Sequence, residues 1–201
     1  MRLILTRHGE TIENREGIIQ GHMHGRLSND GILQAKKVAL RLKYEDIDFI
    51  YSSDLKRAVD TANEIHKYHE DIPIIFTPEL REANLGEFQG KKRSEVVNNK
   101  GQLPEPNLGE SKKELVERAK NFLDKILKEH INDTVLFVGH NGINKAIIVS
   151  ILGKTHEEFK DIQHQLNTSV NIFEIDEDKK HHIHAFNCVK HLEDAKLKLS
   201  E

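Results

Sequence analysis

The sequence predicts an α/β fold, a three-layer α/β/α sandwich around a mostly parallel, mixed central sheet. Three observations predict it. Four short runs rich in Ile, Val and Phe have strand character: "RLILT" (2–6), "FIYSS" (49–53), "PIIFT" (73–77) and "TVLFVGH" (134–140). Segments of helical periodicity separate them, an alternation that calls for a parallel sheet covered on both faces. Two further runs, "SVNIFEI" (169–175) and "HHIHAFNC" (181–188), are joined by the short polar turn "DEDKK", which suits an antiparallel pair.

Each element has a local reason. Met1 to Thr6 is too short for a signal peptide and reads as the first strand. Over 31–43, Ile32, Ala35, Val38, Ala39 and Leu42 recur on one helical face, with Ser28 as N-cap. Over 111–130 the apolar positions Leu115, Ala119, Phe122, Leu123, Ile126 and Leu127 recur at three and four, opposite Lys and Glu. Ser111 followed by Glu114 forms a capping box at its entry. "NNKGQLPEPNLGE" (98–110) holds two of the four prolines and two of the twelve glycines, and reads as a surface loop, not a linker. With no internal repeat or low-complexity tract, residues 1–201 are expected to form one domain. The charge-rich "HLEDAKLKLSE" (191–201) reads either as a last amphipathic turn or as a frayed tail.

Composition excludes several partners. A formal net charge of -3, from 30 basic and 33 acidic residues, gives no global field toward nucleic acid or an anionic membrane. One cysteine, Cys188, cannot form an internal disulfide, and no apolar run approaches the roughly 20 residues of a membrane span. A cytoplasmic protein that binds neither nucleic acid nor membrane is expected. Composition leaves the oligomeric state open.

The chemistry gathers at strand ends, where ligands collect in open α/β sheets. Arg7-His8-Gly9 follows the first strand and Ser52-Ser53-Asp54 with Arg57 the second. Arg81-Glu82 follows the third after a few residues, and Gly139-His140-Asn141-Gly142 the fourth. One histidine after a strand is an ordinary structural residue. Two histidines, joined by arginines and a glutamate, at four strand ends point to a site.

The strings "LTRHGET", "YSSDLKRAVDTA", "LREANLGEFQG" and "VGHNG", in this order, resemble the histidine phosphatase superfamily, which includes phosphoglycerate mutases and many small phosphatases. The resemblance runs from Arg2 to about Leu152, with a weaker echo in the final strands. It implies a phosphoglycerate mutase-like sandwich and metal-independent hydrolysis of a small phosphomonoester, without a cofactor. His8 matches the family nucleophile, since a neutral imidazole attacks phosphorus and gives a phosphohistidine. Arg7 and Arg57 match the arginines that hold the phosphoryl oxygens through their planar donor forks. Glu82 matches the general acid of the phosphatase branches. His140 matches a second donor, which would need a proton on each nitrogen, a state that phosphate favours. Gly9 is expected to let the chain turn sharply beside the phosphate.

Asn14, Gln20 and Gly21 fall where members make polar contacts to the phosphoryl group or substrate; the competing reading makes Asn14 a turn cap and Gln20 a loop residue. Asn141, included with the substrate-binding residues, stands where many members carry glycine. It is expected to take a tight turn beside His140 less readily. The pairs His22/His24 and His66/His69 and the run His181-His182-His184 could supply metal ligands, but none has an accompanying carboxylate or cysteine pattern, and surface or structural roles are expected. Lys91-Lys92-Arg93 reads as a solvated face, or as a contact to a second anionic group.

Two alternatives remain. A cofactor-dependent phosphoglycerate mutase carries a long basic insertion after the glutamate segment. Here only Lys100 adds a cation between the 91–93 cluster and Ser111, and "GES" (109–111) resembles the smaller phosphatases. A non-catalytic phospho-ligand module would lack one of His8, Arg57, Glu82 or His140, and all four are present. The resemblance leaves phosphosugars, phosphoglycerate, a cobalamin-precursor phosphate and phosphoserine unranked as substrates.

Overall fold

The computed structural model describes residues 1–99, 101 and 103–193; Lys100 and the tail from 194 onward lie outside the described residues. In chain order the elements are β1 (Arg2–Arg7), α1 (Ile12–Arg15), α2 (Asn29–Leu42), β2 (Phe49–Ser53), α3 (Lys56–His66), β3 (Ile74–Thr77), α4 (Arg93–Val96), α5 (Lys112–Glu129), β4 (Thr134–Gly139), α6 (Asn141–Ile151), β5 (Val170–Ile175), β6 (His181–Cys188) and α7 (Lys190–Glu193). The strands form one sheet in the order β3-β2-β4-β1-β5-β6. β1 to β4 run parallel, while β5 is antiparallel to both β1 and β6. The mixed sheet and the antiparallel last pair match the sequence expectation.

Side-chain alternation along the strands builds two cores. Leu3 and Leu5 of β1, Val135 and Phe137 of β4 and Phe173 of β5 face α5 and α6. Their neighbours Ile4, Leu136, Val138 and Ile172 face α2 and α3 on the other side. Each fully buried Leu or Ile contributes about 1.5–3 kcal/mol relative to an exposed one, so the sandwich is held by both faces of the same strands.

The caps are those the sequence predicts. Ser28 Oγ accepts from Gly31 N at 3.0 Å, and Ser111 and Glu114 form the capping box of α5. The stripe of α2 differs by one residue. Gly31 is buried and Ile32 is 42% exposed. A Cβ on Gly31 would lie 1.9 Å from Glu10 O, so only glycine lets the start of α2 pack against the turn after β1. That packing draws Gly31 inward and leaves Ile32 outside.

Gly9 belongs to the same contact. Its φ is not among the positive ones, and a Cβ there would meet Gly31 O at 2.4 Å. The reason for glycine is close approach to α2, not the sharp turn that the sequence suggests. β6 lies at the sheet edge with no residue fully buried, and His182 and His184 share a face with ring centroids 4.5 Å apart. His191, the second residue of α7, is buried, with Nε2 3.3 Å from Thr168 Oγ1.

Replacing Gly31 by Ala is expected to cost about 1–3 kcal/mol, the usual range for overpacking, in urea melts. Ile32→Ala is expected to stay within about 0.5 kcal/mol, as exposed substitutions do.

Candidate active site

The strand order places the ends of β1 and β4 side by side: His8 N donates to Gly139 O at 3.0 Å, and the His8 and His140 ring centroids are 5.0 Å apart. Both rings are buried, as are Arg7 and Arg57. The structure therefore brings together His8, His140, Arg7 and Arg57. The Glu82 carboxylate is the acidic charge that most raises the pKa of both Arg7 and Arg57.

Arg57 is the hub. Its Nε lies 3.2 Å from His8 Nε2 and 3.1 Å from His140 Nδ1, so one N–H is shared between two imidazoles. Its Nη2 donates to Gly21 O at 2.9 Å, and Nη1 donates to Met23 O and His24 O. One guanidinium thus holds both rings and the 21–24 loop. Burial pushes the pKa of Arg57, and of Arg7, down to about 10, which leaves both charged at neutral pH.

The hydrogen bonds assign the tautomers. His8 Nδ1 lies 2.7 Å from Gly9 O and must carry the proton, which leaves the Nε2 lone pair facing Arg57. Burial, with the charges of Arg57 and Arg7, holds the His8 pKa well below the ordinary histidine value. His140 has the opposite tautomer. Its Nδ1 accepts from Arg57 and its Nε2 donates to Ser53 Oγ at 2.8 Å. The same causes, burial first and then Arg57, keep its pKa low. In this arrangement His140 is a neutral single donor.

Arg7 is held from the far end of the chain. Its Nη1 donates to Gln165 O at 2.8 Å and lies 3.2 Å from His164 Nε2, while its buried Nε–H has no protein partner. Beneath it, Thr168 N donates to Arg7 O at 3.1 Å from a backbone with φ of 54°. Asn167 Nδ2 donates to His8 O at 3.0 Å.

Glu82 is half-buried and reaches the N-terminus of α6: Oε2 accepts from Gly142 N at 3.0 Å, and Oε1 from Ile143 N at 3.2 Å and Ala83 N at 2.9 Å. A Cβ on Gly142 would lie 2.2 Å from Glu82 Oε1, so glycine is needed for this approach. Its neighbour Arg81 donates from Nε to Asp54 Oδ1 at 2.7 Å, which ties the end of β2 to the Glu82 segment.

The second group of residues is occupied within the protein. Asn14 completes the capping box of α1 with Thr11, the turn-capping role that its sequence position allows. Gln20 is buried, donates to Thr11 Oγ1 at 2.9 Å and leaves its Oε1 without a partner. Gly21 contributes its carbonyl to Arg57 from a φ of 49°. Asn141 begins α6 without a positive φ, and its Oδ1 accepts from Gln165 N at 2.9 Å, so no glycine-like turn is needed beside His140.

Sequence reasoning misses Ser53's role as acceptor and the partners His164, Gln165, Thr168 and Asn167. Their signal is absent because Ser53 meets His140 across 87 residues and the other four act on Arg7 or His8 across more than 150. Several paired histidines serve the backbone: His22 Nε2 to Glu82 O at 2.9 Å, His66 Nε2 to Ile72 O at 3.0 Å and His69 Nε2 to Leu42 O at 3.1 Å. Among the described residues, no three His, Cys, Asp or Glu side chains are placed to hold a metal ion. No described helix is long and apolar enough to cross a membrane.

Two buried guanidiniums and two imidazoles thus meet at the carboxyl ends of parallel strands in an α/β sandwich. Residues 3–188 match the histidine phosphatase superfamily (branch 1), and the chain belongs to that family. It is 34% identical to phosphoglycerate mutase-like protein 4 of Arabidopsis thaliana, covering 96% of this chain and 87% of that protein. It is also 34% identical to a metal-independent phosphoserine phosphatase of the same plant, covering 94% and 82%. Among solved structures, a phosphoserine phosphatase from Entamoeba histolytica in complex with 3-phosphoglyceric acid superposes with a TM-score of 0.82 at 30% identity, covering 95% of this chain and 98% of that one.

His8 is expected to remain neutral, with its proton on Nδ1, well below pH 6.5. Nitrogen-15 NMR of the ring between pH 7.5 and 5 checks this, and a titration near 6.5 would contradict the burial described.

Proposed function

We propose that this chain is a phosphomonoesterase that hydrolyses a small phosphorylated metabolite through a phosphohistidine on His8. The observation that carries the reading is the Nδ1–H bond of His8 to Gly9 O, which leaves the Nε2 lone pair as the nucleophile. In the first step Nε2 bonds to phosphorus, the P–O bond to the leaving group breaks, and that oxygen takes a proton from the Glu82 carboxyl. The ring becomes cationic, and Gly9 O, already 2.7 Å from Nδ1, accepts a stronger bond from it. In the second step water attacks phosphorus and gives a proton to the Glu82 carboxylate, while the P–N electron pair returns to Nε2.

Arg7 and Arg57 carry the phosphoryl oxygens in this scheme. Their charge survives burial, and Arg7 Nε–H has no competing protein acceptor. His140 adds a donor once the phosphoryl charge favours a second proton on its ring. The nucleophile is an imidazole, so no metal-bound hydroxide is needed. Hydrolysis fits the relative named a metal-independent phosphoserine phosphatase, and phosphoserine and 3-phosphoglycerate are the first substrates to examine. One continuous sheet supports reading the chain as a single catalytic domain.

A panel of phosphomonoesters assayed with EDTA, beside a phosphoglycerate mutase assay with 2,3-bisphosphoglycerate, tests the reading. Hydrolysis that survives EDTA and exceeds interconversion is expected; faster interconversion would make the chain a mutase. His8→Ala is expected to lower kcat by at least about 10³-fold, and a variant near full rate would remove His8 as nucleophile.

A further inference from the structure

Glu82 sits in an irregular segment after β3, yet its main chain and its carboxylate are fixed separately. The carboxylate is bound at the start of α6. The main chain is held from α5, which packs against α6, through Arg118. A guanidinium has five N–H donors, and Arg118 makes five bonds. Nε donates to Glu110 Oε1 at 2.8 Å and Nη2 to Glu110 Oε2 at 2.7 Å. Nη1 donates to Glu79 O at 2.6 Å and Arg81 O at 3.1 Å, and Nη2 to Glu82 O at a longer 3.4 Å.

Glu110 continues the arrangement. Its backbone N donates to Asn84 O at 2.7 Å, and its Oε2 accepts from Asn84 N at 3.4 Å. The pair therefore grips the segment on both sides of Glu82, at residues 79, 81, 82 and 84. Neither Arg118 nor Glu110 bonds to His8, His140, Arg7 or Arg57, so their shared target is the backbone that carries Glu82. Side-chain exposures of 23% and 15% keep the pair largely out of water, where a bidentate contact holds its geometry best.

We propose that Arg118, oriented by Glu110, is a positioning residue for Glu82, setting how well it protonates the leaving oxygen. The inference rests on the reading of Glu82 as general acid. Lysine could not replace it. Its three donors radiate from one nitrogen and cannot span a carboxylate and three carbonyls.

The test uses aryl phosphates from phenyl phosphate, a poor leaving group, to 2,4-dinitrophenyl phosphate, which needs little protonation. Glu82→Gln should lose about 10²-fold or more on phenyl phosphate, the scale of general acid catalysis, and far less on the dinitrophenyl ester. Arg118→Lys and Glu110→Gln should follow the same pattern at about tenfold, as for a slightly misplaced acid. Adding Arg118→Lys to Glu82→Gln should cause no further loss that depends on the leaving group. Where Arg118→Lys fails to fold, Glu110→Gln decides, since it keeps the shape of the carboxylate.

Losses equal across the series, or no loss, in Arg118→Lys and Glu110→Gln would overturn the positioning role while Glu82→Gln stays selective. A Glu82→Gln variant equally slow on all esters would instead remove the acid itself, and this inference with it.

Discussion

The site depends on one buried cation. Arg57 gives a single Nε–H to two imidazoles and three of its other four donors to loop carbonyls. Burying a guanidinium is costly, and here carbonyl oxygens and the field of Glu82 offset the cost without neutralising it in a tight ion pair. The arrangement fixes the protonation of its neighbours. A permanent donor between two rings requires a lone pair on each facing nitrogen, so both histidines are neutral and their remaining protons point away. Gly9 O and Ser53 Oγ receive those protons. The cation, the tautomers and the loop position form one constraint.

That constraint is possible because β4 lies between β1 and β2. The chain leaves β1, builds two strands toward one edge and returns to fill the gap, so residues 132 apart, His8 and His140, become neighbours. Arg57, at the start of α3, is the second residue of its helix, from where a long side chain reaches back over the strand ends. On the other side of the sheet, α6 turns its N-terminus toward Glu82. The groups of the candidate site thus draw on both helical layers.

Much of this is legible in the sequence because local chemistry decides it. The six strand runs are recovered within a residue or so at each end; β1 and β4, buried on both faces, read as continuous apolar runs, and the edge strands β3 and β6 are set off by Pro73 and by the polar turn before β6. Ser28 and Ser111 mark where their helices begin, and apolar periodicity supplies the rest. His8, Arg57, Glu82 and His140 are legible as a set because each follows a strand. The misreadings have a common cause in contacts distant along the chain. Periodicity counts Ile32 into the core because it cannot know that Glu10 O abuts Gly31. Gly9 is glycine for the same packing. The clamp on Glu82 involves Arg118, which in sequence is one of many charges on the polar face of α5.

Thr168 shows where stability and activity are set against each other. A β-branched residue at a φ of 54° costs about 1–2 kcal/mol, and its N–H nevertheless supports the carbonyl of Arg7 while its hydroxyl meets the buried His191. Glycine at this position would relax the backbone and remove the hydroxyl in the same change. The footing of the buried Arg7 is therefore tied to the docking of the chain's last described turn. A search for thermostabilising substitutions would be drawn to this strained residue, where easing the backbone also loosens that tie.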